Sequence, residues 1–519
     1  MADTIALMRK RVLDMAIRGE LVEQRPDEGT GTELYRDIEQ EKDCLMKSGK
    51  IKKEKNFPLV PKKEEPFEIP INWQWVRLGS LTAAEDDSFS DGPFGSNLKT
   101  IHYTENPEVR IIQLNNVGEG IWKDTGRKYT TYQHAVVLKR YNIKPGDMVI
   151  AKMMPAGRTI IVPEIEDRYI VSSDNVKFVP NKKINSTYIM HAVNSSTIRQ
   201  MIAATSTGTT RVRTSSSKLK NLFLPLPPLA EQNRIVAKIE EIFAIINQIG
   251  TKKEEALSII RNMRQTALQD AIRGMLVDQD ETDESANEIL KKIEKEKEHL
   301  KKEKKVKIEQ PLPPVNVHNF DYDIPAGWEL THLNEIAFVT KLAGFEYASD
   351  IKPNLAESGI PLFKGKNVQN GRLVYEFESF IPESVSEKLT RSQLNRKCLL
   401  TPYVGTIGNI AIFEGDIQAH LGSNVGKIEL YNYNDTYILE EYLLYFLRSK
   451  TGIKQLRKQI KSTAQESISI KAIRECLIPL PPLAEQERIV AKLDEIMAIC
   501  DQMEAIFDGS ADMVAERIC

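Results

Sequence analysis

The stretch "PLPPLAEQNRIVAKIEEIFAIINQ", residues 225–248, returns as "PLPPLAEQERIVAKLDEIMAICDQ", residues 479–502. Between Pro225–Lys238 and Pro479–Lys492 the copies differ only at Asn233 against Glu487. Each copy reads as a proline corner that starts a helix. After Pro227 and Pro228, the apolar residues Ile235, Ile239, Ile242, Ile246 and Ile249 step by four and three, and Ile260 and Met263 resume the stripe after a break near Gly250. The second stripe is Ile489, Leu493, Ile496, Cys500, Met503 and Phe507. Steps averaging about 3.5 residues favour a coiled-coil seam. Two such helices in one chain are expected to pack antiparallel, and roughly 40 residues at ~1.5 Å each would make a rod about 60 Å long. An ordinary two-helix core is the plainer alternative.

The duplication extends outward from the corner. "MRKRVLDMAIRGELVEQ" (8–24) matches "MRQTALQDAIRGMLVDQ" (263–279). "IPINWQWVRLGSL" (69–81) matches "IPAGWELTHLNEI" (324–336), aligning Trp73 with Trp328, and "SSDNVKF" (172–178) resembles "LGSNVGKI" (421–428) more weakly. The chain is therefore two copies of one plan of about 255 residues, which is too long a period for a solenoid and implies pseudo-twofold symmetry. The pieces follow one another as if cut from a circle. The last helix lacks the "AIRG" segment that should follow it, and that segment sits instead at 8–22. The N-terminal helix is accordingly expected to pack beside, or to continue, the C-terminal helix.

Composition narrows the class. A length of 519 residues exceeds one ordinary domain. With 41% hydrophobic and 28% charged residues, the chain reads as soluble globular protein. The N-terminus is amphipathic and carries acids, so neither a signal nor a transit peptide is expected, and no apolar run approaches the length of a membrane span. The five cysteines (Cys44, Cys398, Cys476, Cys500, Cys519) form no CxxC pair, which favours a reducing cytosol and argues against zinc. The histidines make no HExxH or HxxxH pattern, so no metal is expected.

A net charge of −2 hides an uneven distribution. No acid lies between Asp174 and Glu231, a window holding Lys177, Lys182, Lys183, Arg199, Arg211, Arg213, Lys218 and Lys220. None lies between Glu441 and Glu466, where Arg448, Lys450, Lys454, Arg457, Lys458 and Lys461 fall. One such run would read as a solvated surface. Two at matching positions point to a polyanion.

The intervening regions, 67–224 and 321–478, are rich in β-branched and aromatic residues and in turn signals. "YNIKPGDMVIAKM" (141–153) reads as a turn feeding a strand, and "NRKCLLTPYVGTIGNIAIF" (395–413) corresponds to it. Each region closes on a helical stretch and a polar loop, "STGTTRVRTSSSKLK" (206–220) or "STAQESISIKAI" (462–473), and here the copies diverge most. A shared frame with unlike loops suits two heads reading two targets. Arginine can bond guanine N7 and O6, glutamine can bond adenine, and Lys, Ser and Thr can hold phosphates. The DNA-contact candidates are Lys99, Asn115, Asn116, Arg158, Arg211, Arg213 and Lys218 in the first head. In the second they are Lys364, Lys366, Asn367, Tyr403, Asn409, Lys461, Gln465 and Lys471. For each, a structural or surface role competes, and Asn in "NNVG" or "KNVQNG" also suits a turn.

The "PLPPLAEQ-RIV-K" corner, the paired helices, the two variable heads and "GPFGSNLK" resemble the specificity subunit of type I restriction-modification enzymes over nearly the whole chain. The resemblance implies an α+β chain with two α/β target recognition domains in pseudo-twofold arrangement, separated by a long antiparallel two-helix coiled coil. Its expected parts are an N-terminal helix (1–24) closing the distal region, a charged insert (25–66), a first recognition domain (67–224) and a central coiled-coil helix (225–278). A charged linker (279–320), a second recognition domain (321–478) and a distal coiled-coil helix (479–519) complete it. The charged segments read as solvated helix followed by tether. Ile235, Ile239, Ile242, Ile246, Ile489, Leu493 and Ile496 are the expected coiled-coil and partner-docking positions.

The resemblance further implies that each domain reads half of a bipartite site in double-stranded DNA. Two modification subunits would methylate adenine N6 with S-adenosylmethionine, and two restriction subunits can join them using ATP and magnesium. No cofactor is expected on this chain, and the assembly would be cytoplasmic and off the membrane. The residues themselves agree with a non-catalytic role. There is no Asn/Asp-Pro-Pro-aromatic motif and no phosphate-cradling GxxxxGK[ST], and "GSNVGK" (422–427) has the wrong spacing. Asp174 to Lys177 alone does not make a nuclease site. A fused enzyme lacks motifs and spare length. A coiled-coil scaffold that binds DNA without sequence preference is the other alternative.

Overall fold

The repeated corner folds the same way twice. In the computed structural model, Gln74–Arg77 pairs antiparallel with Phe223–Leu226, and Glu329–His332 pairs with Leu477–Leu480. The model describes the chain except residues 1, 53–56, 59, 208–211, 304–311, 313, 316–319, 321, 370, 406, 459, 461–465 and 519, and the side chains of 2, 3, 96 and 508–518. The corner prolines end each strand, and the helix starts directly after them. Five helices frame the chain: α1 (Ala2–Arg18), α2 (Gly31–Lys47), α3 (Leu229–Ile272), α4 (Ala286–Lys302) and α5 (Leu483–Ile518). Two compact units result. The first comprises Met1–Glu254 with Phe507–Cys519, and the second Glu255–Ile506.

The "AEQ" of each corner binds the surrounding pieces together. Glu231 is fully buried and accepts from Trp73 Nε1 at 2.9 Å and Gln24 Nε2 at 2.6 Å. Glu485 accepts from Trp328 Nε1 at 2.8 Å and Gln279 Nε2 at 2.5 Å. Gln232 donates to Pro227 O and accepts from Asn185 N, while Gln486 donates to Pro481 O and accepts from Leu439 N. Tyr188 and Tyr442 hydroxyls donate to Pro225 O and Pro479 O. Burial raises both tyrosine pKa values and holds the hydroxyls as donors. The same residues return because the same joint is made twice.

The helices follow this plan. In the second unit, Ala267, Leu268 and Ala271 of α3 share a core with Ile489 and Leu493 of α5, while Arg264 pairs with Asp501 and Glu504, an antiparallel register. In the first unit α1 repeats that register against the first half of α3, with Arg9 bonding Asn247 and Met8 and Val12 packing with Ile235, Ile239 and Ile246. The described contacts of α1 include the central helix, and Thr197 N donates to Asp14 Oδ1. Phe507–Cys519 of α5 belongs to the same unit as α1, but the side chains of 508–518, on which the expected packing of α1 beside the C-terminal helix would rest, lie outside the described residues. An "AIRG" segment lies against the start of a corner helix in each unit. α3 runs 44 residues, continuously through the break in the apolar stripe near Gly250. A Cβ at Gly250 would stand 2.8 Å from Ile5 Cδ1, so glycine here lets α1 approach.

Each head is built on a four-stranded antiparallel sheet. The first has β1 (Phe89–Asp91), β2 (Met148–Ala151), β3 (Thr159–Ile161) and β4 (Asn175–Phe178), in spatial order β1-β4-β2-β3. The second has β5 (Ala337–Lys341), β6 (Cys398–Pro402), β7 (Ala411–Phe413) and β8 (Val425–Leu430), in order β5-β8-β6-β7. A second, mixed sheet carries the parallel pairing of Val109–Ile112 with Tyr169–Val171 in one head and Ile360–Phe363 with Ala419–Leu421 in the other.

Each charged insert holds the expected helix, docked rather than solvated, while most of the tether expected after the second lies outside the described residues. A capping box of Thr30 and Glu33 starts α2, Ile38 is fully buried, and the ammonium of Lys42 donates to Ser80 O at 2.6 Å and Thr82 Oγ1 at 2.9 Å. In α4, Ala286, Ile289, Ile293 and Leu300 are buried and Lys297 donates to Asn334 O. An amphipathic stripe among many charges docks these helices on the heads.

Candidate nucleic-acid interface

The polar loops that end the heads are tied down identically. In the first head, Lys152 N donates to Asp174 O (2.9 Å), Thr214 N to Lys152 O (2.9 Å) and Met154 N to Val212 O (3.2 Å). In the second, Tyr403 N donates to Asn424 O (3.1 Å), Ile468 N to Tyr403 O (2.9 Å) and Gly405 N to Glu466 O (2.9 Å). Isolated bridges of Met153 with Arg213 and Val404 with Ser467 complete the match. Each loop therefore lies across the end of its sheet as an added strand.

Sheet register aligns the side chains there. Val176 of β4 faces Asp91 and Ile150, and Gly426 of β8 faces Lys341 and Thr401. Asp91 thus corresponds to Lys341, and Lys152 to Tyr403. In the first head, Lys152 Nζ pairs with Asp91 Oδ1 at 2.5 Å and stands 4.8 Å from the Phe94 ring centre, while Ser216 Oγ donates to Asp91 Oδ2 at 2.5 Å. Arg213, Thr214, Ser173 and Asp174 help line a cleft of about 300 Å³ beside them. The Thr214 hydroxyl is buried in that lining without a hydrogen-bond partner. In the second head, the Lys341 ammonium lies 4.3 Å from the Tyr403 ring centre and has no hydrogen bond or ion pair among the described residues. Burial raises the Tyr403 pKa, so its hydroxyl stays protonated.

The candidates from sequence separate into several groups. Arg211, Lys461 and Gln465 lie outside the described residues. Lys99, Asn115, Arg213, Lys218, Lys366 and Lys471 are exposed. Of these, Lys366 is paired with Glu378, Lys471 with Glu475, and Lys218 bonds Thr205 O. Arg158 is half-buried with its Nε on Pro155 O, and burial lowers its pKa. Lys364 donates to Ser379 Oγ, and Asn409 donates to Val368 O.

Asn116 and Asn367 are corrected from base readers to loop staples. Asn116 Oδ1 accepts from Gln113 N while its Nδ2 donates to Lys123 O and Thr125 O; Asn367 repeats this with Lys364 N, Val374 O and Glu376 O. Both are buried and spend their amides on the backbone. The seam residues Ile235, Ile239, Ile246, Ile489 and Leu493 are fully buried within the chain, and Ile242 and Ile496 partly so. They hold helices together and are not open to partners. Among the described residues, the exposed large apolar positions of the long helices are Leu229, Ile245, Ile259, Met263, Ile499 and Ile506.

The basic fields are also thinner than their sequence suggests. Lys177 is buried on Arg140 O, Arg199 pairs with Glu119 and Lys183 with Glu41. Asp91, Phe94, Lys152, Thr214 and Lys341 were not among the candidates, although Phe94 and Lys152 lie within "GPFGSNLK" and "VIAKM". Only strand register brings them together. Among the described residues, no group of three His, Cys, Asp or Glu could hold a metal, and no helix is long and apolar enough to cross a membrane.

A family model for the type I restriction modification DNA specificity domain matches residues 70–258 and again 325–506. The chain is 26% identical to the type I restriction enzyme EcoAI specificity subunit of Escherichia coli, across 97% of this chain and 90% of that protein. It is 27% identical to the MjaVIII specificity subunit of Methanocaldococcus jannaschii, across 86% and 89%. A solved chain from a study of complex assembly and conformational transition in the type I R-M system superposes with a TM-score of 0.59 at 19% identity, covering 87% of this chain and 98% of that one, a likeness of fold.

Proposed function

Because the chain belongs to the type I restriction modification DNA specificity family, as a type I restriction-modification specificity subunit, we propose that each head reads one half of a bipartite site in duplex DNA. The observation that carries this is the pair of equivalent loop clamps holding unlike side chains at one position, Asp91 with Lys152 in one head and Lys341 with Tyr403 in the other. A frame that served only affinity would repeat its cations, whereas two different half-sites require different donors and acceptors. The long helices dock two modification subunits through their exposed apolar positions. Restriction subunits join through these. Base extrusion and N6-adenine methylation belong to those partners, as do S-adenosylmethionine, ATP and magnesium.

The test is selection from a random duplex pool by the chain complexed with its modification subunits. An interrupted two-part motif is expected. Binding without sequence enrichment would favour the plain scaffold, and methyl transfer by the isolated chain would overturn the division of labour.

A further inference from the structure

Resting on the half-site reading above, we propose that the register-equivalent positions Asp91/Lys152 and Lys341/Tyr403 set the base each head accepts, and that Lys341 is the guanine-reading donor of the second head. Three observations converge on it. First, the frame around the two positions is the same. Val176 and Gly426 face Asp91 and Lys341 in the same register, and two backbone hydrogen bonds fix the adjoining loop in each head. Second, the chemistry at that point is inverted. In the first head an acid occupies the end of the edge strand and neutralises the lysine across from it; in the second a lysine occupies it with no acid among the described residues in contact. Third, the Lys341 side chain is half-buried and seated on an aromatic face, which restrains its stem and aims its three donors.

Phosphates are common to both half-sites, so a phosphate contact would call for a cation at the same position in both heads. A base contact calls for the difference observed. An ammonium held on an aromatic face beside the loop suits the paired acceptors O6 and N7 of guanine in the major groove. In the first head Asp91 is engaged by Lys152 and Ser216, which leaves Lys152's remaining donors, Arg213 and the unpartnered Thr214 hydroxyl to face the ligand. Tyr403 is a positioning residue for Lys341.

The experiment compares the wild-type complex with Lys341→Gln, Tyr403→Leu and Tyr403→Phe, all with the modification subunits bound. Each is run on duplex pools randomised over the second half-site, at several salt concentrations. Lys341→Gln should lose about ten- to hundred-fold discrimination at one guanine position while the other half-site is unchanged. Tyr403→Leu should show the same loss in weaker form, and Tyr403→Phe, which keeps the ring face, should restore it. Circular dichroism melting of each variant reports folding independently. A folded Lys341→Gln complex that binds all sequences more weakly with an unchanged motif would make Lys341 a phosphate contact and overturn the proposal, leaving the half-site reading intact. Absence of any two-part motif from the wild-type complex would overturn the underlying reading as well.

Discussion

A single carboxylate holds the joint of each unit. Glu231 takes hydrogen bonds from the Trp73 indole and the Gln24 amide in a site closed to solvent. Replacing it with alanine leaves the buried Trp73 indole N–H unpaired and removes the shorter hydrogen bond of the Gln24 amide. Glu231→Ala should therefore cost about 3 kcal/mol, read as a shift of the urea midpoint, whereas substituting the exposed Glu241 should change it by less than about 0.5 kcal/mol. His191 gives a pH signature on the same unit. Burial beside Phe243 lowers its pKa to about 4. An imidazole that resists protonation only when folded stabilises the protein above pH 6.5, and that stabilisation is lost as the pH falls towards 4. The difference amounts to about 3 kcal/mol. His191→Leu should flatten the dependence of unfolding free energy on pH across that window, and an unchanged slope would assign the acid sensitivity elsewhere. Residue roles were the least legible part of the sequence. Asn116 and Asn367 have the composition of base readers and the geometry of staples. The distinction lies in which side of a loop is buried, and spacing does not encode that. Lys341 and Asp91 become comparable only once two strands are in register.

Elements were far more readable, because periodicity is a property of the chain itself. The proline corners, the long helices and the strand after Pro145-Gly146-Asp147 all follow from local pattern. The inserts misled because charge dominates their composition, while the three or four residues that dock each helix occupy one narrow stripe. The same division into buried seam and exposed face gives a test of docking. Leu493 is fully buried between α3 and α5, so Leu493→Ala should destabilise by about 3 kcal/mol. Ile499, one turn and a half further along α5, is 44% exposed. Ile499→Asp should leave unfolding within about 0.5 kcal/mol of wild type while reducing co-purification of the modification subunits. If the subunits are retained in full by Ile499→Asp and by the equivalent Ile245→Asp, the docking face lies elsewhere on the helices.

For the molecule as a whole, the proposed half-site reading makes specificity two separable choices, one for each copy of the duplication. The frame of each head is repeated down to the hydrogen bonds of its corner, while the side chains at 91/152 and 341/403 differ, so changing one head should not alter what the other reads. The packing sets a condition on that experiment. The first head's core is continuous with α1 and α3, where Tyr188, Ile189 and Ile198 share a cluster with Met8, Val12 and Ile235. A replacement for residues 67–224 must therefore bring a tyrosine hydroxyl to Pro225 O and a backbone amide to Gln232. A family head carrying those groups should fold on this frame. The methylated motif of cells expressing the exchanged subunit with its modification partner should then change in one half and keep the other half unaltered. Loss of both halves from a folded, partner-bound subunit would mean that the heads read DNA jointly. In that case the unlike pairs at 91/152 and 341/403 would be two parts of one recognition surface.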